Sequence, residues 1–189
     1  MKRLLLLLMF CYVIITLNYA EMIDWWFLGF ANTTLTGEHA KGMNANDDFK
    51  LNSLDGLQFG FTTMVELKNK VNLGANLRYV EKGWVTEDQK GLYTAKNNYL
   101  EVVFRGGYTL PKLRNMSFYP YLGLGFESLL NSESPNKYTQ GSNSFVVGLD
   151  VNFIEKFMLC INYGIGLTDV QKGDDTKYNT YSFAMGRKF

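Results

Sequence analysis

Phe157-Met-Leu-Cys-Ile-Asn-Tyr-Gly-Ile-Gly-Leu-Thr168 decides the fold, because its side chains alternate between two chemical types. One set, at 157, 159, 161, 163, 165 and 167, is Phe, Leu, Ile, Tyr, Ile and Leu. The other set contains Met, Cys, Asn, Gly, Gly and Thr. A period of two with one apolar face is typical of a β-strand that separates two environments.

The same alternation recurs along the chain and predicts seven further strands. They lie around 25–34, 57–67, 71–80, 100–110, 121–127, 145–153 and 181–189. Short connections are expected at 68–70, 111–117 and 155–156, and long ones at about 35–54, 86–97, 131–142 and 169–179. Short turns at one end and long loops at the other predict an all-β fold, an eight-stranded antiparallel up-and-down barrel.

The composition excludes several classes of protein. The chain has 189 residues, which suits one domain, and 47% apolar with 20% charged residues argue against disorder. A formal net charge of +1 excludes a strongly basic nucleic-acid footprint. A mean hydropathy of −0.12 by itself suggests solubility. The unusual counts are 15% aromatics and 18 Gly against 3 Pro.

Residues 1–20 have the three parts of a secretory signal peptide. Lys2 and Arg3 precede an apolar run from 4 to 17, which is too short for a comfortable transmembrane helix. Asn18-Tyr-Ala20 then offers a cleavage site. A lipoprotein signal around Cys11 is disfavoured because the bulky Phe10 precedes it. We therefore expect a mature domain at 21–189, with Cys160 as its single cysteine and no internal disulfide.

An eight-stranded meander can be a soluble lipocalin-like carrier or a membrane barrel with its apolar face outward. Nine of the 18 glycines fall on the polar face. A solvated face has no use for them, whereas a narrow lumen needs small residues beside long charged ones. We expect a plugged lumen with a polar network of Glu66, Arg78, Glu101, Arg105, Glu127, Asp150 and Lys188.

The apolar face carries aromatic residues toward both ends, as a membrane barrel requires at its two interfaces. The expected interface aromatics are Tyr79, Tyr108, Phe145, Phe153, Phe157 and Tyr181. Trp25 and Trp26 are expected to anchor the first strand at the periplasmic interface. Phe189 ends an alternating strand and matches the signal read by the outer-membrane assembly machinery, although Arg187 stands where an aromatic is common. These features predict the outer membrane of a Gram-negative bacterium, with both termini periplasmic.

Several strings resemble the PorT-type outer-membrane β-barrel family. They are Phe27-Leu-Gly-Phe-Ala-Asn-Thr-Thr-Leu-Thr-Gly37, Asn98-Tyr-Leu-Glu-Val-Val103, Tyr119-Pro-Tyr-Leu-Gly-Leu-Gly125, Asn162-Tyr-Gly-Ile-Gly-Leu-Thr-Asp169 and Gly186-Arg-Lys-Phe189. Val103 stands where that family usually has Pro. The resemblance covers nearly the whole mature chain and implies an eight-stranded outer-membrane barrel. It does not imply a particular role, because members share a fold and not a function.

Residues that could carry chemistry are few. His39 is the single histidine and, with Ser53 and Asp55, could serve a lipid-modifying outer-membrane enzyme, while the competing interpretation is a solvated loop histidine. The acidic pairs at 47–48 and 174–175 lack the spacing of a calcium loop. We expect no catalytic, cofactor-binding or metal-binding residues.

The expected role is structural or interactive. The partners are outer-membrane lipid, the assembly machinery during biogenesis and an extracellular partner bound through loop 35–54, which is the longest loop. Nucleic acid is not expected, and the protein is expected to be a monomer.

Overall fold

The computed structural model describes residues 22–37, 40, 50–67, 69–88, 91–132, 141–153, 156–170 and 175–188. Within them the chain forms eight strands, each antiparallel to the next, and β1 also pairs with β8 to close a barrel. The predicted fold class is therefore confirmed. The strands are β1 (Met22–Gly37), β2 (Lys50–Glu66), β3 (Val71–Asp88), β4 (Gly91–Tyr108), β5 (Met116–Ser132), β6 (Gly141–Phe153), β7 (Phe157–Gly166) and β8 (Thr176–Lys188).

Burial on the barrel wall is the reverse of that in a soluble protein. Phe30 and Tyr181 on the outer face are 64% and 59% exposed, whereas Arg78 and Glu101 inside are 2% and 0% exposed. A lipocalin-like carrier would bury the first pair around its ligand and leave the second pair in water. The outward apolar face is instead suited to lipid, so the soluble carrier is not favoured.

The first five strands are longer than a membrane requires. A tilted transmembrane strand needs about 9–11 residues, whereas β1 to β5 have 16 to 18 residues. On β3 the outward side chains are apolar up to Tyr79, and Glu81 follows. We call the outward apolar part of the wall the lipid band. The strand ranges predicted from the sequence were too short for β1 to β5, which continue past this band at the long-loop end.

The long loop predicted at 86–97 does not exist. β3 and β4 stay paired from Val71 opposite Tyr108 to Asp88 opposite Gly91. Gly91 has a φ of 134°, a conformation that favours glycine, at the end of this hairpin. Beyond the lipid band both wall faces can be polar, so the alternation that marks a strand loses its contrast.

A bulge in β2 turns one apolar side chain inward. The pairing of β2 with β3 shifts by one residue between Ser53 and Gln58. Leu57, on the Gln58 side of the shift, is outward and 48% exposed, while Leu51, on the Ser53 side, packs against a buried apolar cluster inside the barrel. Such a shift exchanges the two faces of a strand. On the short-turn side of the bulge, β2 therefore presents apolar side chains to lipid. On its long-loop side, the apolar side chain of Leu51 points into the barrel.

Short turns connect the strands at the other end. They join Glu66 to Val71, Tyr108 to Met116 and Phe153 to Phe157, and the sequence predicted these connections to within a few residues. Among the residues described, no helix is long and apolar enough to cross a membrane.

Candidate functional site: the barrel lumen

Three buried ion pairs fill the middle of the lumen. Every side chain in them is at most 3% exposed. Ionic groups removed from water require a partner at close range, so the lumen-facing strands must deliver cations and anions in matched positions. The pairs are Arg78 with Glu101, Lys82 with Glu127, and Arg105 with Asp150.

Arg78 on β3 bridges four strands. Its Nε donates to Glu101 on β4, and its Nη1 donates to Gln58 Oε1 at 3.3 Å and Asn162 Oδ1 at 3.2 Å. Ser144 Oγ donates to the second oxygen of Glu101 at 3.3 Å. Because these partners stand on opposite walls, the network crosses the lumen and ties β2, β3, β4, β6 and β7 together.

Lys82 was not anticipated from the sequence. Its Nζ lies 2.6 Å from Glu127 Oε1, and Ser142 Oγ donates to the other carboxylate oxygen at 2.7 Å. The predicted strand ended at Val80, which left Lys82 outside it. The alternation along β3 is the sequence feature that indicates Lys82, because Lys82 continues the set of inward positions that contains Arg78 and Val80.

Arg105 lies nearer the short-turn end. Its guanidinium pairs with Asp150, and its Cζ lies 4.5 Å from the ring centre of Tyr121 and 5.8 Å from that of Trp25. Trp25 is 1% exposed. The prediction that Trp25 anchors the strand at the interface was wrong, because its parity on β1 is inward and only Trp26 faces lipid.

An apolar cluster closes the long-loop end of the lumen, which the sequence predicted to be polar. We call this the upper cluster. Above the lipid band the outer wall lies in water, so an ordinary apolar core inside becomes favourable. Asn97 Nδ2 and the Tyr178 hydroxyl form a hydrogen bond of 2.9 Å within it. The buried members are Ala31, Leu35, Ala40, Val80, Trp84, Ala95, Tyr99, Val170 and Tyr178.

The remaining two members of the predicted network lie at the short-turn end. Thr109 Oγ1 donates to Glu66 Oε2 at 2.6 Å, and Glu66 is half-buried. Lys188 is exposed at the end of β8. The inclusion of Lys188 in the lumen network was wrong, because the last inward position of β8 lies at the barrel rim.

The lumen between these layers is packed. A cavity of about 10 Å³ remains beside Met64, Arg105 and Tyr121, which is room for about one water. Glycine provides the space for the larger groups. A Cβ on Gly148 would lie 2.2 Å from the Tyr121 ring, and one on Gly125 would lie 2.2 Å from Ser144 Oγ.

The outer wall carries the aromatic residues that the sequence assigned to the interfaces. Phe59 and Tyr79 stack at 5.0 Å between ring centres, Phe153 and Phe157 at 6.3 Å, and Tyr163 and Tyr181 at 4.4 Å. Tyr108 is 45% exposed, and Phe145 is half-buried. Phe189 lies outside the described residues.

An ion pair marks the edge of the lipid band at the long-loop end. Lys96 Nζ lies 2.9 Å from Glu81 Oε1, and the Leu57 amide donates to Glu81 Oε2 at 3.0 Å. Partial burial favours the neutral acid, but the Leu57 amide and the Lys96 ammonium outweigh it and lower the pKa of Glu81. Its carboxylate is therefore charged at neutral pH.

Two of the candidates for catalysis, Ser53 and Asp55, share one hydrogen-bond donor. Asn32 Nδ2 donates to Ser53 Oγ at 3.1 Å and to Asp55 Oδ1 at 2.7 Å. His39 and the acidic residues at 47, 48 and 174 lie outside the described residues. Asp175 pairs with Lys177 at 3.3 Å. Within the described ranges no three His, Cys, Asp or Glu side chains form a group that could hold a metal.

A family model described as the outer membrane protein beta-barrel domain matches residues 27–189. The chain belongs to this family. The match includes all of β2 to β8 and most of β1. A search of curated proteins gives no significant match.

Solved outer-membrane barrels share the fold of this family member. OprG from Pseudomonas aeruginosa is 14% identical with a TM-score of 0.53, over 90% of this chain and 98% of that one. Neisserial surface protein A is 12% identical with a TM-score of 0.53, over 90% and 100%. Ail of Yersinia pestis is 19% identical with a TM-score of 0.50, over 90% and 100%. At such identities the likeness concerns the fold alone.

The family assigns this barrel to the outer membrane. The lipid band, the ionic lumen and the short turns agree with that location, because only a closed barrel satisfies all strand hydrogen bonds within lipid. In such barrels the short turns are periplasmic and the longer loops extracellular. The upper cluster and the extended parts of β1 to β5 therefore lie on the extracellular side.

Proposed function

We propose that this protein is a non-conducting outer-membrane barrel with a structural or surface-binding role in a Gram-negative bacterium. The observation that carries the proposal is the filled lumen. Three buried ion pairs block its middle, and the upper cluster blocks its extracellular end. A porin needs an open aqueous lumen instead, which eight strands are too few to provide.

The extracellular extension supports the surface-binding part of the proposal. β1 to β5 rise above the lipid band, and the β3–β4 hairpin reaches the turn between Asp88 and Gly91. Leu92 near its tip is 69% exposed. A rigid paired hairpin presents side chains at lower entropic cost than a free loop does. We propose that this hairpin and the segment between β1 and β2, within the predicted loop 35–54, form the contact surface.

The family subgroup, the signal peptide and the oligomeric state are also part of the proposal. The quoted strings support a PorT-type member of the family, and residues 1–20 support export by a cleaved signal peptide. We propose a monomer that is inserted by the assembly machinery through its Phe189 end. A catalytic role is not proposed, since Asn32 engages both of the side chains expected to assist His39.

Conductance measurement tests the central claim. The refolded protein in a planar bilayer should give no large, stable channel, while a general porin measured in parallel gives open-channel steps. A heat-modifiability gel on the same sample confirms that the barrel is folded. Long-lived conductance from fully folded protein would contradict the proposal.

Removal of the surface elements tests the binding role. Deletion of 41–49 keeps the barrel wall and Ala40 of the upper cluster and should leave folding intact, but it should reduce adhesion of cells that display the protein. The matched control shortens the periplasmic turn at 109–115, which should leave adhesion unchanged. Equal adhesion for the loop deletion and the full-length protein would place binding elsewhere.

A further inference from the structure

The periplasmic rim of the barrel carries many exposed cations. The acids described at this end are fewer, namely Glu66, which accepts a hydrogen bond from Thr109, and Asp24. No ion pair joins the cations to either acid within the described part of the chain. The exposed cations are Lys70, Lys112, Arg114, Lys156, Arg187 and Lys188.

Three of these cations come together where β7 meets β8, and we call them the basic cluster. The Lys188 amide donates to the Lys156 carbonyl at 2.9 Å, which fixes the β6–β7 turn beside the end of β8. Arg187 is the preceding residue. The backbone positions of the three residues are thus fixed, with Arg187 on the outward face of β8 and Lys188 at its rim.

Arg187 faces lipid. It continues the outward set of β8, in which Phe183 and Met185 are 49% and 50% exposed. Across the strand on one side its partner is Trp26, and on the other side it is Phe157. These rings are 45% and 43% exposed on the same outer face. The guanidinium therefore lies in the aromatic belt, at the depth where lipid headgroups begin.

We propose that the basic cluster binds the phosphate of an anionic phospholipid in the periplasmic leaflet. A guanidinium matches phosphate through two parallel hydrogen bonds, and the two lysines at the adjacent barrel rim add to the positive potential around it. The Trp26 and Phe157 rings flank the position where the lipid's glycerol and upper acyl chains would lie. This inference goes beyond the proposed surface function and concerns the opposite face of the membrane.

The geometry favours a lipid over an acidic periplasmic protein. Arg187 points away from the barrel axis at the edge of the lipid band, where a soluble partner cannot approach without displacing lipid. A protein partner would instead be expected to use the turns, such as Lys112 and Arg114 in the β4–β5 connection. Arg187 gives a headgroup site its charge, and its aromatic neighbours give the site its apolar boundary.

Trp26 is a natural reporter for this site. The chain has three tryptophans, and the other two, Trp25 and Trp84, are 1% and 8% exposed inside the barrel. Acyl-chain-brominated lipids quench tryptophan at short range, so quenching reports chiefly on lipid beside Trp26. The folded full-length protein is placed in phosphatidylcholine vesicles with equal fractions of brominated phosphatidylglycerol or brominated phosphatidylcholine.

Brominated phosphatidylglycerol should quench Trp26 more strongly than brominated phosphatidylcholine does. Each cation at an anionic surface should raise this preference for phosphatidylglycerol about fivefold at low salt. Arg187→Gln should lower this preference about fivefold, and the triple variant Lys156→Gln, Arg187→Gln, Lys188→Gln should remove the contribution of the whole cluster. Lys177→Gln, the same charge change on the extracellular side, should leave it intact. If Arg187→Gln fails the heat-modifiability test, the Lys156→Gln, Lys188→Gln double variant replaces it.

Equal quenching of the wild-type protein by the two brominated lipids would overturn the proposal. A preference that Lys177→Gln lowers as much as Arg187→Gln does would also overturn it, because the effect would then follow total charge. The proposal would also be overturned if soluble polyglutamate bound the protein and abolished its preference for phosphatidylglycerol. The basic cluster would then be accessible to an acidic polypeptide. A preference lost only in the basic-cluster variants supports the site.

Discussion

Glu101→Gln removes one charge from the centre of the lumen and almost no volume. Glu101 is 0% exposed and its partner Arg78 is 2% exposed. The variant leaves a buried guanidinium without its counter-charge. Removal of one partner from a buried ion pair typically costs about 3–5 kcal/mol.

The structure places the expected loss at the lower end of that range. Arg78 Nη1 retains Gln58 Oε1 at 3.3 Å and Asn162 Oδ1 at 3.2 Å as acceptors, and the new amide oxygen can replace one carboxylate oxygen. We therefore expect a loss of about 3 kcal/mol in the free energy of unfolding. With a urea m-value of about 1–3 kcal/mol/M, the midpoint should fall by roughly 1–3 M.

Urea titration of the protein refolded in phospholipid vesicles measures this loss, with tryptophan fluorescence and the heat-modifiability gel as probes. Glu81→Gln is the matched control, since it makes the same change in the Glu81–Lys96 pair, where Lys96 is 32% exposed. An ion pair open to solvent contributes about 0–1 kcal/mol, so the control should lose little.

A double variant separates charge pairing from damage to the fold. Arg78→Gln with Glu101→Gln leaves no unpaired charge and should cost clearly less than the sum of the two single variants. The reasoning is refuted if the two losses add within about 0.5 kcal/mol. It is also refuted if Glu101→Gln costs no more than Glu81→Gln.

Two further predictions concern packing around glycine and the effect of pH. Gly148→Ala places a Cβ 2.2 Å from the Tyr121 ring and should lower the free energy of unfolding by about 1–3 kcal/mol through overpacking. Gly164→Ala, where the nearest atom would be 3.9 Å from the new Cβ, should lower it by about 0.5 kcal/mol or less, and equal urea midpoints for the two variants would contradict this. The lowered pKa of Glu81 means that its pairing with Lys96 stabilises the barrel above the unfolded pKa of about 4.3. That contribution should be lost as the pH falls through the folded pKa. Titration from neutral to acid pH should therefore show the wild type converging on Glu81→Gln, and a constant difference between them would exclude this explanation.

The sequence did not predict much of the strand structure in the extracellular half of the barrel. The predicted strands end near the edge of the lipid band, because alternation between apolar and polar side chains is sharp only where one face meets lipid and the other meets the lumen. Above that edge Lys82 and Trp84 continue the inward set of β3, but Glu81 and Glu87 replace the apolar outward set. The sequence therefore predicts a loop where the structure has the hairpin.

The sequence by itself determined the eight-stranded barrel, the lipid-facing set and the glycine-rich interior, because a period of two is a local property of each strand. It also predicted that the side chains of Arg78, Glu101 and Arg105 point into the barrel. Only the tertiary structure decided that Arg78 pairs with Glu101 and Arg105 with Asp150, that Trp25 lies beside Arg105, and that an apolar cluster closes the extracellular end. Such partners depend on the register between strands and on closure of β1 against β8, and these bring together residues far apart in the chain.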